Sequence, residues 1–284
     1  MHTFSTPSFS LFREDRRLLN IITIVVITAI FYAVGAMLRL VEELSLFWPL
    51  NGVMAGVFAR YVWLNRLHYY AVCYLTMLGL DALTTEWGTA SLVINLSNMV
   101  FIAVVALFVL RDKKRPSAAP GPLNALKLFA YCMIGALLCG LLGAAGSVSF
   151  NSLTFVPLVA DWFGEQFSTG VLIVPCILTL SWPRSLPVIS LRQVMPLVAL
   201  IASMIASVAI GGAGSLAFPL PALIWCAIRY SLPATCLLTF VTGATEVIFV
   251  ANSIIDIAVE SPLQTPQMFS ARLGIATMAV CPGI

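Results

Sequence analysis

The chain has 284 residues, of which 60% are hydrophobic and only 10% are charged, and its mean hydropathy is +1.00. These values lie far outside the range of soluble globular domains, and they predict an integral membrane protein without a separate soluble domain. The formal net charge of +3 is modest, and the sequence has no basic surface suited to nucleic acid, so we expect no nucleic-acid partner.

Apolar stretches long enough to cross a bilayer, which takes about 20 residues, recur along nearly the whole chain. The predicted helices are residues 18–37, 46–59, 69–86, 89–110, 125–150, 161–182, 194–210, 216–230, 232–252 and 268–284. We therefore expect an all-α fold, a polytopic helical transmembrane bundle of about eight to ten spans. Residues 1–17 are assigned to a cytoplasmic N-terminal tail, and residues 18–284 to one membrane-embedded module.

The basic residues set the expected orientation. Thirteen of the fifteen lysines and arginines lie on one side of this topology, and Arg39 and Arg272 are the two exceptions. Because cytoplasmic loops carry an excess of these residues, the bias predicts a cytoplasmic N terminus. The strongest cytoplasmic signal is the run RDKKR at residues 111–115.

The last segment, residues 268–284, is shorter than the roughly 20 residues of a complete span, and it carries no basic stop signal. We expect that the last span is truncated and that no output domain is present. The alternative is a short, tilted terminal helix packed against its neighbours.

Five side chains are the candidate ligand-binding residues: Trp48, Asn51, Asp81, Glu165 and Glu246. Trp48 and Asn51 lie at the start of the second helix, and the three carboxylates lie in the outer halves of their spans. Ionisable side chains within a bilayer are costly, so they face the bundle interior or water. The group predicts a polar site open to the periplasm, where a buried carboxylate would report protons or bind a cationic ligand.

Each candidate also has a plainer interpretation. Asn51 would cap its own helix, the carboxylates would be hydrated near the headgroups, and Trp48 would belong to an aromatic belt. Asn95 and Asn98 are three residues apart, and we expect them to bond a neighbouring helix.

Motifs of catalysis are missing from the sequence. None of the seven cysteines lies in a CxxC or Cys/His cluster, both histidines are isolated, and there is no phosphate loop or nucleophile elbow. We therefore assign no catalytic residue, no metal and no cofactor, and we expect that the chain is not an enzyme.

Three segments in order resemble the type-one membrane-associated sensor (MASE) family of bacterial inner membranes. They are residues 47–52 (FWPLNG), residues 161–175 with DWFGE at their start, and residues 218–230 (FPLPALIWCAIRY). Family members usually precede a cytoplasmic diguanylate cyclase with a GGDEF signature, a phosphodiesterase or a histidine kinase. The resemblance implies a sensory or anchoring module in cyclic-di-GMP signalling, whose longer parent would be a diguanylate cyclase, although this sequence contains no such signature.

The leading hypothesis is thus an inner-membrane sensory module that transmits a periplasmic or membrane signal to a cytoplasmic output. Its expected partners are membrane lipid, a small ligand of unidentified class, and an output domain or signalling protein, with a homo-oligomer left open. A transporter or substrate-binding membrane component is the main alternative, because glycine and proline interrupt residues 211–221 and carboxylates lie within spans. A membrane enzyme acting on lipid is a third interpretation.

Overall fold

The computed structural model describes residues 11–38, 47–84, 88–113, 125–149, 154–180, 191–212, 214–257 and 267–280. Every regular element within these ranges is a helix. The α-helices are α1 (Arg17–Met37), α2 (Pro49–Arg60), α3 (Leu67–Thr84), α4 (Thr89–Lys113), α5 (Ala125–Ser147), α6 (Phe155–Thr179), α7 (Leu191–Ile210), α8 (Pro219–Arg229), α9 (Leu232–Ala251) and α10 (Gln267–Val280). The all-helical prediction is confirmed for the described part of the chain.

The predicted helices match the observed ones within a few residues at most ends, and two differences have local causes. Helix α6 begins at Phe155, earlier than the predicted start at Asp161. The predicted helix 216–230 is divided into a 3-10 turn, Ser215–Ala217, and α8, which begins at Pro219. Proline lacks the amide hydrogen that a continuing helix would use, whereas the first helical position needs none.

Four helices are long and apolar enough to cross a membrane by length and composition, among the described residues: α1, α4, α5 and α9. Helix α6 has 25 residues, but its middle carries the mostly polar stretch from Glu165 to Thr169. Helices α2, α8 and α10 have 12, 11 and 14 residues, which is short of the roughly 20 that a full span takes. The described residues therefore support insertion in a membrane with four candidate spans, whereas eight to ten spans were predicted.

Helix α2 is the centre of the bundle. All of its residues except Arg60 are buried, and it packs against α1, α4 and α6. The glycines of α2 explain its close approach to α6, because a Cβ at Gly52 would lie 2.9 Å from Ile173 Cβ, and one at Gly56 would lie 2.6 Å from Ile177 Cβ. Small residues at an interface allow helix backbones to approach in this way.

The last turn of α2 is fixed by two cations. Arg60 Nη1 donates to the carbonyl oxygens of Ile177 at 2.8 Å and Leu178 at 3.3 Å, at the end of α6. Lys113 Nζ, from the end of α4, donates to the Ala59 carbonyl oxygen at 2.9 Å. These bonds satisfy terminal helix carbonyls with positive groups, which the helix dipole favours. We call the side of the bundle where α2 ends the Arg60 end, and the side where α2 begins the Trp48 end.

Candidate functional site

Asn51 lies in the first turn of α2 and is fully buried. Its Nδ2 donates to Asn98 Oδ1 of α4 and to Gln166 Oε1 of α6, both at 2.7 Å. We call these three residues the amide triangle. The alternative that Asn51 caps its own helix is wrong, because Trp48 is the N-cap residue and no side-chain cap bond forms there.

Two polar atoms of the amide triangle remain available. Asn51 Oδ1 and Gln166 Nε2 are buried, and neither has a hydrogen-bond partner among the described residues. Buried polar atoms of this kind usually bind water or a ligand. The triangle therefore offers one acceptor and one donor to a small polar molecule.

Asp81 lies in a second polar group beside the triangle. Its carboxylate accepts a hydrogen bond from Tyr32 of α1 at 2.9 Å and a longer one from Asn95 of α4 at 3.4 Å. Asp81 is only 8% exposed, so the interpretation of a hydrated carboxylate near the headgroups does not hold. Asn95 and Asn98 both bond a neighbouring helix, as expected, and one face of α4 thereby contacts both polar groups.

Trp48 is buried and does not belong to an aromatic belt. Its ring packs against Gly35 of α1 and meets the Tyr32 ring edge to face, with 5.4 Å between the centroids. Trp162 is also buried, and its Nε1 donates to Ser147 Oγ at 3.2 Å. Both tryptophans are structural contacts of the bundle interior, and Trp48 contacts Tyr32 of the Asp81 group.

Glu165 and Glu246 are buried as well, at 3% and 0% exposure. Glu165 precedes Gln166 in α6 and interacts electrostatically with the Cys139 thiol of α5. Neither carboxylate oxygen of Glu246 has a hydrogen-bond partner among the described residues. Because an isolated ionised carboxylate is costly to bury, an ionised Glu246 would destabilise the bundle at this position.

Trp48, Asn51 and Asp81 belong to the group around the start of α2, and Glu165 adjoins it through Gln166. No described hydrogen bond joins Glu246 of α9 to that group. Among the described residues, no three histidine, cysteine, aspartate or glutamate side chains are grouped to hold a metal ion.

Sequence reasoning did not name four of these polar residues as site candidates: Tyr32 and Gln166, which belong to the two polar groups, and Asp161 and Arg272, which pair with each other. The Arg272 Nη1 atom lies 2.6 Å from Asp161 Oδ1. One feature of the sequence pointed to Arg272, since it is one of only two basic residues outside the predicted cytoplasmic set. No feature pointed to Tyr32 or Gln166, because a tyrosine or glutamine within an apolar helix does not by itself indicate its partner.

Comparison with known proteins finds two relatives of the same name. The chain is 66% identical over 282 residues to the "Probable diguanylate cyclase DgcF" of Escherichia coli O157:H7, a match that covers 99% of the chain and 60% of the relative. It is 72% identical over 125 residues to the protein of that name from Escherichia coli strain K12, covering 44% of the chain and 40% of that relative. No family model matches the chain, and no solved structure matches it.

The chain is therefore related to proteins named "Probable diguanylate cyclase DgcF", and this finding corrects one expectation. From the absence of catalytic motifs we expected that the chain is not an enzyme. That expectation is wrong on the comparison, because a protein that matches 99% of the chain bears an enzyme's name. The chain spans about 60% of the length of that relative and 40% of the other.

Proposed function

We propose that this chain is the membrane-embedded input module of a diguanylate cyclase, an enzyme that joins two molecules of GTP into cyclic-di-GMP. In this proposal the module passes a signal from the membrane or periplasm to the cytoplasmic catalytic region of the whole protein. The observation that carries the proposal is the 66% identity over 99% of the chain to a protein named as such an enzyme. The cyclase activity is proposed for the whole protein on that relationship.

The module is proposed to lie in the bacterial inner membrane as a MASE-type bundle of about eight to ten spans, comprising residues 18–284. Residues 1–17 would be cytoplasmic, the Arg60 end would face the cytoplasm and the Trp48 end the periplasm. Support comes from four helices of spanning length and hydropathy, and from the basic residues at the Arg60 end.

The amide triangle is the proposed ligand site. A small polar molecule would donate to Asn51 Oδ1 and accept from Gln166 Nε2, the two atoms without described partners. The same three helices that form the triangle are joined again at the Arg60 end by Arg60 and Lys113. A shift of α2 relative to α4 and α6 would therefore reach the cytoplasmic side, provided that the ligand binds two bundle arrangements with different affinities.

The test is a fusion of the chain to a reporter diguanylate cyclase domain, with cyclic-di-GMP measured by mass spectrometry in cells. We expect Asn51→Ala to change the cyclic-di-GMP level by about fivefold or more, because about fivefold is the lower end of the range typical of coupling between two sites. Asn252→Ala is the matched control, since that side chain is exposed and its described hydrogen bond is to Ile248 of its own helix. Equal levels in the two variants would contradict the proposal.

Orientation is tested separately with reporter fusions in the segment 111–122. We expect activity of a cytoplasmic reporter there, because the run RDKKR should stay inside. A periplasmic reporter active at this position would overturn the proposed topology.

A further inference from the structure

Polar side chains lie along the contact between α6 and α9 in two groups, which Leu172 and Gly243 separate. At the Arg60 end, the Cys236 thiol lies near the Thr179 side chain, and Cys176 Sγ donates to the Cys236 carbonyl oxygen at 3.2 Å. Thr239 follows one turn further along α9, with a buried hydroxyl that has no described partner. We call Thr179, Cys236, Cys176, Thr239, Thr169 and Glu246 the polar seam.

The antiparallel register of α6 and α9 places Glu246 at the far end of this seam. A Cβ at Gly243 would lie 2.8 Å from Leu172 Cδ2, so these two positions are level. Glu246 is one turn beyond Gly243 on the same face of α9, and Thr169 is the residue one turn before Leu172 on α6. Thr169 is 1% exposed, and its hydroxyl also lacks a partner among the described residues.

The neighbours of Gly243, one turn from Glu246, are apolar, because a Cβ there would meet Leu172 of α6 and Ile275 of α10. A carboxylate that is fully buried in such a place, with no described hydrogen bond to either oxygen, is stable when it carries a proton or holds a cation. Three or more acidic or metal-ligating side chains would favour a metal ion, and no such group occurs among the described residues.

The other ionisable side chains on the helices packed against α9 are few. Helix α6 carries Asp161, Glu165 and Cys176, α10 carries Arg272, and α8 carries Cys226 and Arg229. Arg272 lies one turn before Ile275 and is therefore level with Glu246, but its Nη1 is engaged by Asp161 at 2.6 Å. Glu165 lies a turn beyond Thr169 toward the Trp48 end, Cys176 belongs to the polar seam, and Arg229 is exposed.

We propose that Glu246 is a proton-binding site of the bundle and that the polar seam is the route by which protons reach it from the Arg60 end. In the step, hydronium gives a proton to the Glu246 carboxylate, which becomes a neutral carboxylic acid, and one water molecule is released. The hydroxyls of Thr239 and Thr169 solvate the proton on the two sides of Leu172, because each can both donate and accept a hydrogen bond. The direction of access rests on the orientation in the proposed function, whereas the site itself does not.

The test uses dicyclohexylcarbodiimide, a bilayer-soluble reagent that reacts with protonated carboxyl groups, on the full chain in lipid vesicles. Peptide mass spectrometry should find an adduct at Glu246 that falls about tenfold per pH unit above the titration midpoint. Glu246→Gln should lose this adduct, and Glu246→Asp should keep a pH-dependent one. Absence of an adduct at every pH, or labelling that does not vary with pH, would overturn the site. Protection by NaCl but not by KCl would also overturn it, in favour of a metal cation.

The route is tested with Thr239→Val and a matched control, Thr245→Val. Thr245 is half-buried, its described hydrogen bond is to Val241 of its own helix, and it lines an apolar cavity of about 510 Å³ between α7 and α9. After a pH jump on the Arg60 side of oriented vesicles, Thr239→Val should lose the rapid change in labelling, and Thr245→Val should retain it. Equal rates in the two variants would overturn the route. These readouts involve no nucleotide, so they fail or succeed independently of the cyclic-di-GMP assay.

Discussion

Arg272 of α10 and Asp161 of α6 form an ion pair, with 2.6 Å between Nη1 and Oδ1, in which the arginine side chain is only 3% exposed. The pair joins positions 111 residues apart, and the Arg272 stem packs over Gly164. Taking a cation out of water costs several kcal/mol, so the arginine depends on its carboxylate. This contact explains how a basic residue outside the predicted cytoplasmic set is accommodated in the bundle.

Asp161→Asn should lower the free energy of unfolding by about 3 kcal/mol, because it removes the carboxylate that faces a buried guanidinium. Unfolding by sodium dodecyl sulfate in mixed micelles, followed by circular dichroism, measures the change. Lys127→Met is the control, since Lys127 pairs with Asp112 at 3.4 Å while 53% exposed, and its loss should cost less than about 1 kcal/mol. Equal losses would contradict the stabilising role of the Arg272 pair.

Tyr32→Phe should destabilise the bundle by about 1 to 2 kcal/mol, because the Asp81 carboxylate loses a buried hydrogen bond of 2.9 Å. Tyr74→Phe removes the same atom from an exposed bond to the Leu92 carbonyl. That control should change stability by less than about 0.5 kcal/mol. The two variants are compared in the same micelle unfolding assay, and a larger effect for Tyr74 would show that Asp81 does not need Tyr32.

Asn51→Leu and Asn98→Leu should be coupled. The two side chains share a bond of 2.7 Å, so a double-mutant cycle should return an interaction energy of about 1 kcal/mol, typical of helix contacts in membranes. Stabilities of the parent, both single variants and the double variant are needed. Strict additivity would mean that the amide triangle does not contribute to the association of α2 with α4.

Gly143→Ala should cost about 1 to 3 kcal/mol, because the added Cβ would lie 2.6 Å from Trp162 Cδ2. Gly79→Ala meets no atom within 4 Å. That control should be neutral or more stable by about 0.5 to 1 kcal/mol, since alanine loses less backbone entropy than glycine in a helix. Fluorescence of the buried tryptophans during unfolding provides the measurement.

Arg60→Met should weaken the junction of α2 and α6 by about 2 kcal/mol, because the Ile177 and Leu178 carbonyls lose a charged donor. Arg66→Met, at an exposed position nearby, should have an effect within about 0.5 kcal/mol. In the reporter fusion, Arg60→Met should also alter the cyclic-di-GMP level. An unchanged level, with stability reduced as expected, would limit Arg60 to a structural role.

The sequence by itself determined the helical class and most helix ends. Hydropathy acts locally, and the information that places α1 at residues 17–37 or α9 at residues 232–251 is contained in those residues. It also identified which polar side chains would be costly in a membrane, and the structure buries all five of the candidates.

Only the tertiary structure decided which of these side chains meet. Asn51 bonds Asn98 and Gln166, which are 47 and 115 positions away in the sequence. These bonds form because α2 lies between α4 and α6, and because the first turn of α2 lies beside Asn98 and Gln166. The rotation and depth of each helix follow from side-chain packing at contacts such as Gly52 against Ile173, and an apolar helix of low amphipathicity does not specify its own rotation. For the same reason, only the packing of Gly243 against Leu172 shows that Glu246 lies level with Thr169 of α6.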